Sequence, residues 1–211
     1  MIIGVTQRID KVESYDEWRD AVDQRLIDWV VQSGFVPIPV PNILVDITSS
    51  NSSQEKLDNW LDVIKIDSVL LSGGNNIGDF EQRDLTEKYL LSWAEKHRKP
   101  VLGICRGMQI MGIYSGGRLT EVDGHVRTSH QLKMNNNNAQ LLPITVNSYH
   151  NLALESCPNG FEILAKSEDG NLEAIKHKEL PWEGWMWHPE REEVFEKTSQ
   201  NRFINLINNN K

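Results

Sequence analysis

Two stretches carry residue types that do chemistry together. The first is Gly103-Ile104-Cys105-Arg106-Gly107, the second Trp187-His188-Pro189-Glu190. A thiol becomes a strong nucleophile when a base takes its proton, and that base works best when a third group orients it. Cys105, His188 and Glu190 form such a set. Pro189 stiffens the turn, so His188 and Glu190 project from one strand end with fixed geometry.

The residues around Cys105 say how it is presented. Val101 to Ile104 is a short apolar run, suited to a strand buried on both faces. Met108, Ile110, Met111, Ile113 and Tyr114 then recur at helical spacing, and Gly116-Gly117 stops the helix. Strand, Gly-x-Cys-x-Gly, helix is the geometry of a nucleophile elbow with Cys in place of Ser. The turn is sharp, so its flanking residues must be small. The thiol lies at a helix N-terminus, where unpaired N–H groups and the helix dipole favour thiolate. The N–H of Arg106 points to where an oxyanion would form. The competing reading of Cys105 alone is a small buried hydrophobe. Its order with the other two residues, nucleophile then histidine then acid, argues against the α/β-hydrolase fold, in which the acid precedes the histidine.

Upstream, strand and helix patterns alternate. Ile2–Thr6 reads as a strand. Ser14-Tyr15-Asp16-Glu17 reads as a capping box opening a helix through Trp18, Val22, Leu26, Trp29 and Val30 to Gly34. Phe35–Val40, with Pro37 and Pro39, reads as an edge-like strand. A polar loop over 46–53 leads to a helix carrying Leu57, Trp60, Leu61 and Ile64. Ser68–Ser72 is a third strand, delivering Gly73-Gly74-Asn75-Asn76, and a helix over Asp84–Lys99 ends at Pro100. This alternation predicts a doubly wound, mostly parallel sheet with its site at the C-terminal strand ends, where Cys105 falls. After Gly117 the pattern turns β-rich, with strands expected over 131–134, 144–147, 161–166, 172–175 and 185–187. A polar hairpin tip is expected over 135–138, and a closing helix over 203–207. No linker or repeat divides the chain, so one domain is expected over 1–211.

Gly-Ile-Cys-Arg-Gly-Met-Gln with a later Trp-His-Pro-Glu resembles the class I glutamine amidotransferase superfamily, and within it the γ-glutamyl hydrolase (peptidase C26-like) branch. Leu70-Leu71-Ser72-Gly73-Gly74, Ser129-His130, Asn147-Ser148-Tyr149-His150 and Ser167-Glu168-Asp169-Gly170 before Leu172-Glu173-Ala174 fit that branch in order. The resemblance implies a flavodoxin-like fold and hydrolysis of γ-glutamyl amides. It implies that the backbone of Gly74 supplies the second oxyanion donor beside Arg106. It implies substrate contacts from Gln109, one helical turn beyond Cys105, and from Ser148, Tyr149 and His150 bordering the glutamyl pocket. His130 either joins them or caps a strand. Arg106, Arg118 and Arg127 fall near the loops expected above the site, where a guanidinium can hold a carboxylate or phosphate. The detail of Ser72–Gly78 and Gly103–Gln109 is similar to members that release glutamate from a γ-glutamyl nucleotide phosphoramidate in capsule biosynthesis. Members acting on γ-glutamyl-polyamines or γ-glutamyl-aminobutyrate, a glutaminase that feeds ammonia to a separate synthetase, and a non-catalytic or chaperone-like relative are the alternatives.

Bulk properties bound the rest. The chain has 211 residues and a formal net charge of −8, which argues against nucleic-acid or anionic-membrane binding. No apolar run approaches the ~20 residues of a membrane span. The apolar start Met1–Val5 reads as a core strand and not as a signal peptide. Two cysteines, Cys105 and Cys157, make no disulfide framework, so a cytoplasmic location is expected. His97, His125 and His177 have bland surface or loop contexts. No pair of His or Cys shows zinc-ligand spacing, so neither metal nor cofactor is expected.

Overall fold

A computed structural model describes residues 1–48, 54–135 and 142–209. The expected loop over 49–53, the hairpin tip over 136–138 and the last two residues lie outside the described residues.

The chain alternates as its patterns require. Strand β1 (Ile2–Thr6) is followed by a hairpin of β2 (Arg8–Val12) and β3 (Glu17–Ala21), then α1 (Gln24–Gln32) and β4 (Val36–Val40). Helix α2 (Glu55–Ile64), β5 (Ser68–Leu71), α3 (Glu81–Lys96), β6 (Val101–Ile104) and α4 (Arg106–Tyr114) complete the first half. Short strands β7 (Leu119–Glu121), β8 (Val126–Gln131), β9 (Lys133–Met134), β10 (Thr145–Tyr149), β11 (Leu152–Leu154), β12 (Phe161–Lys166), β13 (Leu172–His177) and β14 (Trp182–Trp185) follow, then α5 (Lys197–Asn208).

Eight strands form one sheet in the order β4-β1-β5-β6-β14-β13-β12-β9. The pairs from β4 to β14 are parallel and those from β14 to β9 antiparallel. Strand β4 is the edge, where the missing N–H groups of Pro37 and Pro39 cost no ladder bond. Leu26 and Trp29 of α1 and Phe203 of α5 pack one sheet face; Leu61 of α2, Leu90 of α3 and Met108 of α4 pack the other. This is a doubly wound, mostly parallel sheet flanked by helices, with a β-rich second half.

One local expectation is overturned. Ser14–Glu17 does not open a helix: it spans a 3₁₀ turn and the start of β3. The helix begins at Gln24, where Asp23 caps it by accepting from the N–H of Arg25. Trp18, expected on the core stripe, sits 59% exposed on the hairpin. Pairing of β2 with β3 outcompeted the weak local cap signal.

Candidate active site

The elbow follows from packing around two glycines. A Cβ on Gly103 would lie 2.5 Å from the carbonyl carbon of Gly107, and one on Gly107 would lie 2.2 Å from the Leu71 carbonyl oxygen. Only glycine lets β6, α4 and β5 close this tightly. Between them Cys105 takes φ 51°, ψ −105°, a strained conformation for a residue with a side chain. The Cys105 N–H donates to the Trp185 carbonyl at 2.7 Å, tying the elbow to β14.

Strand β14 leads directly to His188. Nδ1 of His188 lies 2.6 Å from Oε1 of Glu190, and both residues are buried. A carboxylate only accepts, so Nδ1 carries the hydrogen and Nε2 is left for the Cys105 thiol, whose charge also favours the protonated ring. Burial pulls the imidazole pKa down; the Glu190 charge and the bonds to Cys105 and Glu190 outweigh it and lift His188 to about 9. His188 is thus held as imidazolium beside the thiol at neutral pH.

Three residues absent from the sequence-derived set fix this base. Asn147 clasps the His188 backbone, accepting from its N–H at 2.9 Å and donating to its carbonyl at 2.8 Å. Arg25 donates to the Glu190 carbonyl at 2.8 Å, fastening the turn to α1. Gly73 makes room for the ring: a Cβ there would lie 2.6 Å from Cε1 of His188.

The loop after β5 forms the opposite wall. Gly74 has φ 93°, open to glycine alone at little cost. Arg83, fully buried, donates to the carbonyls of Ser72 at 2.8 Å and Gly73 at 3.0 Å and to Oδ1 of Asn75 at 3.1 Å. Asn75 in turn pairs with the backbone of Ile9 in β2.

A cavity of about 250 Å³ is lined by Gly74, Asn75, Cys105, Arg106, Gln109, Tyr149 and His150, among others. Gln109 donates to the Leu152 carbonyl at 2.9 Å, so its amide oxygen is the group left for a ligand. Tyr149 sets its ring edge-on to His188 at 5.8 Å. A narrow crevice beside it, lined by Arg8, Gly73, Gly74, His188, Glu190 and Arg191, continues past the base.

Other expected substrate contacts lie elsewhere. The Ser148 hydroxyl is buried and donates to the His125 carbonyl at 2.8 Å. His130 faces Glu173 at 3.1 Å. Arg127 is exposed on β8 with φ 55°, and Arg118 is exposed. The Arg106 guanidinium is buried against Asp84 and Glu87, so it is not a substrate cation, and the residue's part in the site falls to its backbone. Arg8 and Arg191 are the arginines that reach the site, and nothing local in the sequence marks them. His125, read as a bland loop residue, is buried.

The family model for Peptidase C26 matches residues 1–190. The chain belongs to this hydrolase family. As a peptidase C26 member it is 29% identical over 204 residues to the γ-glutamyl-CDP-amidate hydrolase of Campylobacter jejuni, covering 91% of each chain. It is 30% identical to protein NtpR of Enterococcus hirae, covering 85% of each. Its fold matches a Thermoplasma acidophilum protein assigned to GMP synthase, with TM-score 0.71 and 24% identity over 98% of this chain and 94% of that one. A glutamine amidotransferase of Thermotoga maritima matches with TM-score 0.61 and 16% identity, over 96% and 81%. The peptidase C26 member therefore has the class I glutamine amidotransferase fold.

Proposed function

We propose that this chain hydrolyses a γ-glutamyl amide and releases glutamate, with Cys105 as nucleophile. The observation that carries the reading is Cys105 held in a strained elbow, with a buried His188 that Glu190 orients at 2.6 Å. The Cys105 thiolate attacks the γ-carbonyl, and backbone N–H groups of Gly74 and Arg106 receive the oxyanion. His188 gives its proton to the leaving nitrogen as the C–N bond breaks, leaving a glutamyl thioester. Water, deprotonated by His188, attacks the thioester; glutamate leaves and the thiolate is restored. Gln109, Tyr149 and His150 lie where the glutamyl portion would sit.

The leaving group in this reading is a nucleotide phosphoramidate. Arg8 and Arg191 line the crevice that runs past Gly74 and His188. Both guanidinium groups are partly exposed, Arg8 beside Asp10 at 3.3 Å and Arg191 beside Glu190 at 4.0 Å, and their remaining donors suit a diphosphate better than an uncharged amine. The Campylobacter relative, matched over 91% of each chain, supports the same substrate class.

The test is glutamate release by the purified chain from a γ-glutamyl nucleotide phosphoramidate, γ-glutamyl-aminobutyrate, γ-glutamyl-putrescine and glutamine. The expected result is preference for the phosphoramidate. Cys105→Ala should lose roughly 10⁴-fold or more in turnover. Arg8→Ala and Arg191→Ala should raise KM for the phosphoramidate alone. Preference for an uncharged or amine leaving group would refute the phosphoramidate reading, and silence on all four would move the chain to a glutaminase that needs a synthetase.

A further inference from the structure

Behind the cavity wall that carries His150 lies a cluster the proposed reaction does not use. Glu173 of β13, fully buried, faces three imidazoles from the β8–β10 region. Its Oε1 lies 3.6 Å from Nδ1 of His125, 3.1 Å from Nε2 of His130 and 3.6 Å from Nε2 of His150. His125 and His150 are 4% and 3% exposed, so water does not relieve the arrangement.

The hydrogens on two of these rings follow from their outer partners. Nε2 of His125 meets a carboxylate oxygen of Asp169 at 2.9 Å, and Nδ1 of His150 meets the Leu152 carbonyl at 3.1 Å. Both partners accept only, so both nitrogens donate. In the neutral rings the inner nitrogens then carry lone pairs that aim at a carboxylate, with only the Ser148 hydroxyl near His125 Nδ1 at 3.4 Å. Neither oxygen of Glu173 has a hydrogen-bond partner, nor does Nε2 of His130 or His150. Four buried polar atoms left in this state are costly unless a cation sits among them.

We propose that His125, His150 and Glu173 bind a divalent transition metal of the zinc type. One ligand atom from each lies within 4.8 Å of the other two. Zinc bonds of about 2.0–2.1 Å put tetrahedral donors about 3.3–3.4 Å apart, and Oε1 of Glu173 lies 3.6 Å from both imidazole nitrogens. The outer partners are those of metal-bound histidines: a carboxylate behind one ring and a backbone carbonyl behind another. Asp169 is itself held, by the Ser167 hydroxyl and by the Asn171 amide at 2.9 Å. The three donors come from the protein interior, with His130 beside Glu173 at 3.1 Å. The ion ties β8 and β10 to β13 and fixes the position of His150 in the cavity wall. His125 stands just before β8, His150 just after β10 and Glu173 on β13, so the set is assembled by the fold and not by one short stretch of sequence.

The site stands independently of the proposed reaction, and its test reads binding. Full-length protein is stripped with a chelator, desalted, given one equivalent of Zn²⁺ or Co²⁺, and desalted again. One Zn²⁺ per chain should remain by mass spectrometry, Co²⁺ should give the visible ligand-field bands of tetrahedral coordination, and Zn²⁺ should raise Tm. Cys105→Ala should keep all three properties, since the thiol and His188 are the competing ligands nearby. Glu173→Gln and His150→Asn should each bind at least tenfold more weakly, with His125→Asn as a third variant if either fails to fold. Asp169→Asn should weaken binding by roughly 10- to 100-fold. No retained ion in the wild type, an ion lost with Cys105→Ala, or an ion kept by the Glu173 and His150 variants would each overturn the site. The cluster would then be a proton-sharing network.

Discussion

On one side of Cys105, Asp84 and Glu87 of α3 meet Arg83 and Arg106; on the other, Glu173 of β13 meets His125, His130 and His150. Both clusters are buried, and each stands behind a wall of the thiol cavity. The first closes on itself. Arg106 pairs with both carboxylates, Arg83 reaches Glu87 at 3.1 Å, and Thr6 donates to Glu87 at 2.9 Å. Guanidinium groups are permanently charged and carry five donors each, so two of them balance two carboxylates and still hold the Gly73–Gly74 loop. The second cluster has imidazoles in place of guanidiniums and leaves four atoms without partners. The contrast teaches that the nucleophile side is nearly complete as folded, with Arg106 Nε left over, whereas the β-rich side leaves both oxygens of Glu173 and two imidazole nitrogens unpartnered.

The largest effect should come from opening the closed cluster. Glu87→Gln removes the charge shared by Arg83 and Arg106 at a site with 0% exposure. Breaking a buried pair from one side costs about 3–5 kcal/mol. In a chain of this size that is a Tm loss of roughly 6–20 °C. Glu173→Gln in metal-free protein should cost less, since the amide can donate to a bare imidazole nitrogen. Thermal denaturation of both variants checks the contrast, which fails if the two losses are equal.

The next effect separates fixed charge from titrating charge. His188 is lifted from its ordinary 6.5 to about 9, so the fold favours its protonated form. That contribution is fully present below about pH 6.5, fades as pH rises through about 9, and is absent above. The shift corresponds to stability on the order of 3 kcal/mol. Glu190→Gln should flatten the decline in denaturant-derived stability between pH 6.5 and 9. An unchanged slope would mean that Glu190 does not hold the proton on His188.

How much of this was legible in the sequence depends on how local each interaction is. The strand over Val101–Ile104, the elbow and the following helix are contiguous and apolar, and they fold as their pattern requires. His188 and Glu190 share one turn, so their pairing was readable from two nearby positions. The hairpin of β2 and β3 was not, because it is set by cross-strand pairing over a stretch whose local signal favours a helix cap. Arg106 has the position of a substrate ligand in the sequence, but its side chain is drawn under the elbow by carboxylates from α3, a contact across 19 and 22 positions. His125 has no local signature at all, and Asn147, though part of the family-like stretch Asn147–His150, has none for clasping His188. Their roles come from the register of β8 against β10, which brings residues 126–131 beside 145–149.

Gly73 is where the two sides of the site meet, and it gives the smallest and sharpest test of how they are joined. Its carbonyl accepts from Arg83 of the closed cluster at 3.0 Å, while its α-carbon faces Cε1 of His188. A methyl group added there must displace either the loop or the ring. The loop is held by four bonds from Arg83, and the ring by Glu190 and the Asn147 clasp of its backbone, so neither yields freely. Gly73→Ala should therefore misplace the base by a fraction of an ångström to an ångström and lower kcat by roughly 10²-fold. Gly78→Ala is the control. It has positive φ, at 96°, but nothing lies within 4 Å of the added atom, so it should cost about 1 kcal/mol of stability or somewhat more and leave kcat unchanged. Measuring kcat and Tm for both separates backbone strain from collision with His188. Equal kinetic losses would mean that the loop matters only through its conformation, and that Gly73 does not link the arginine cluster to the base.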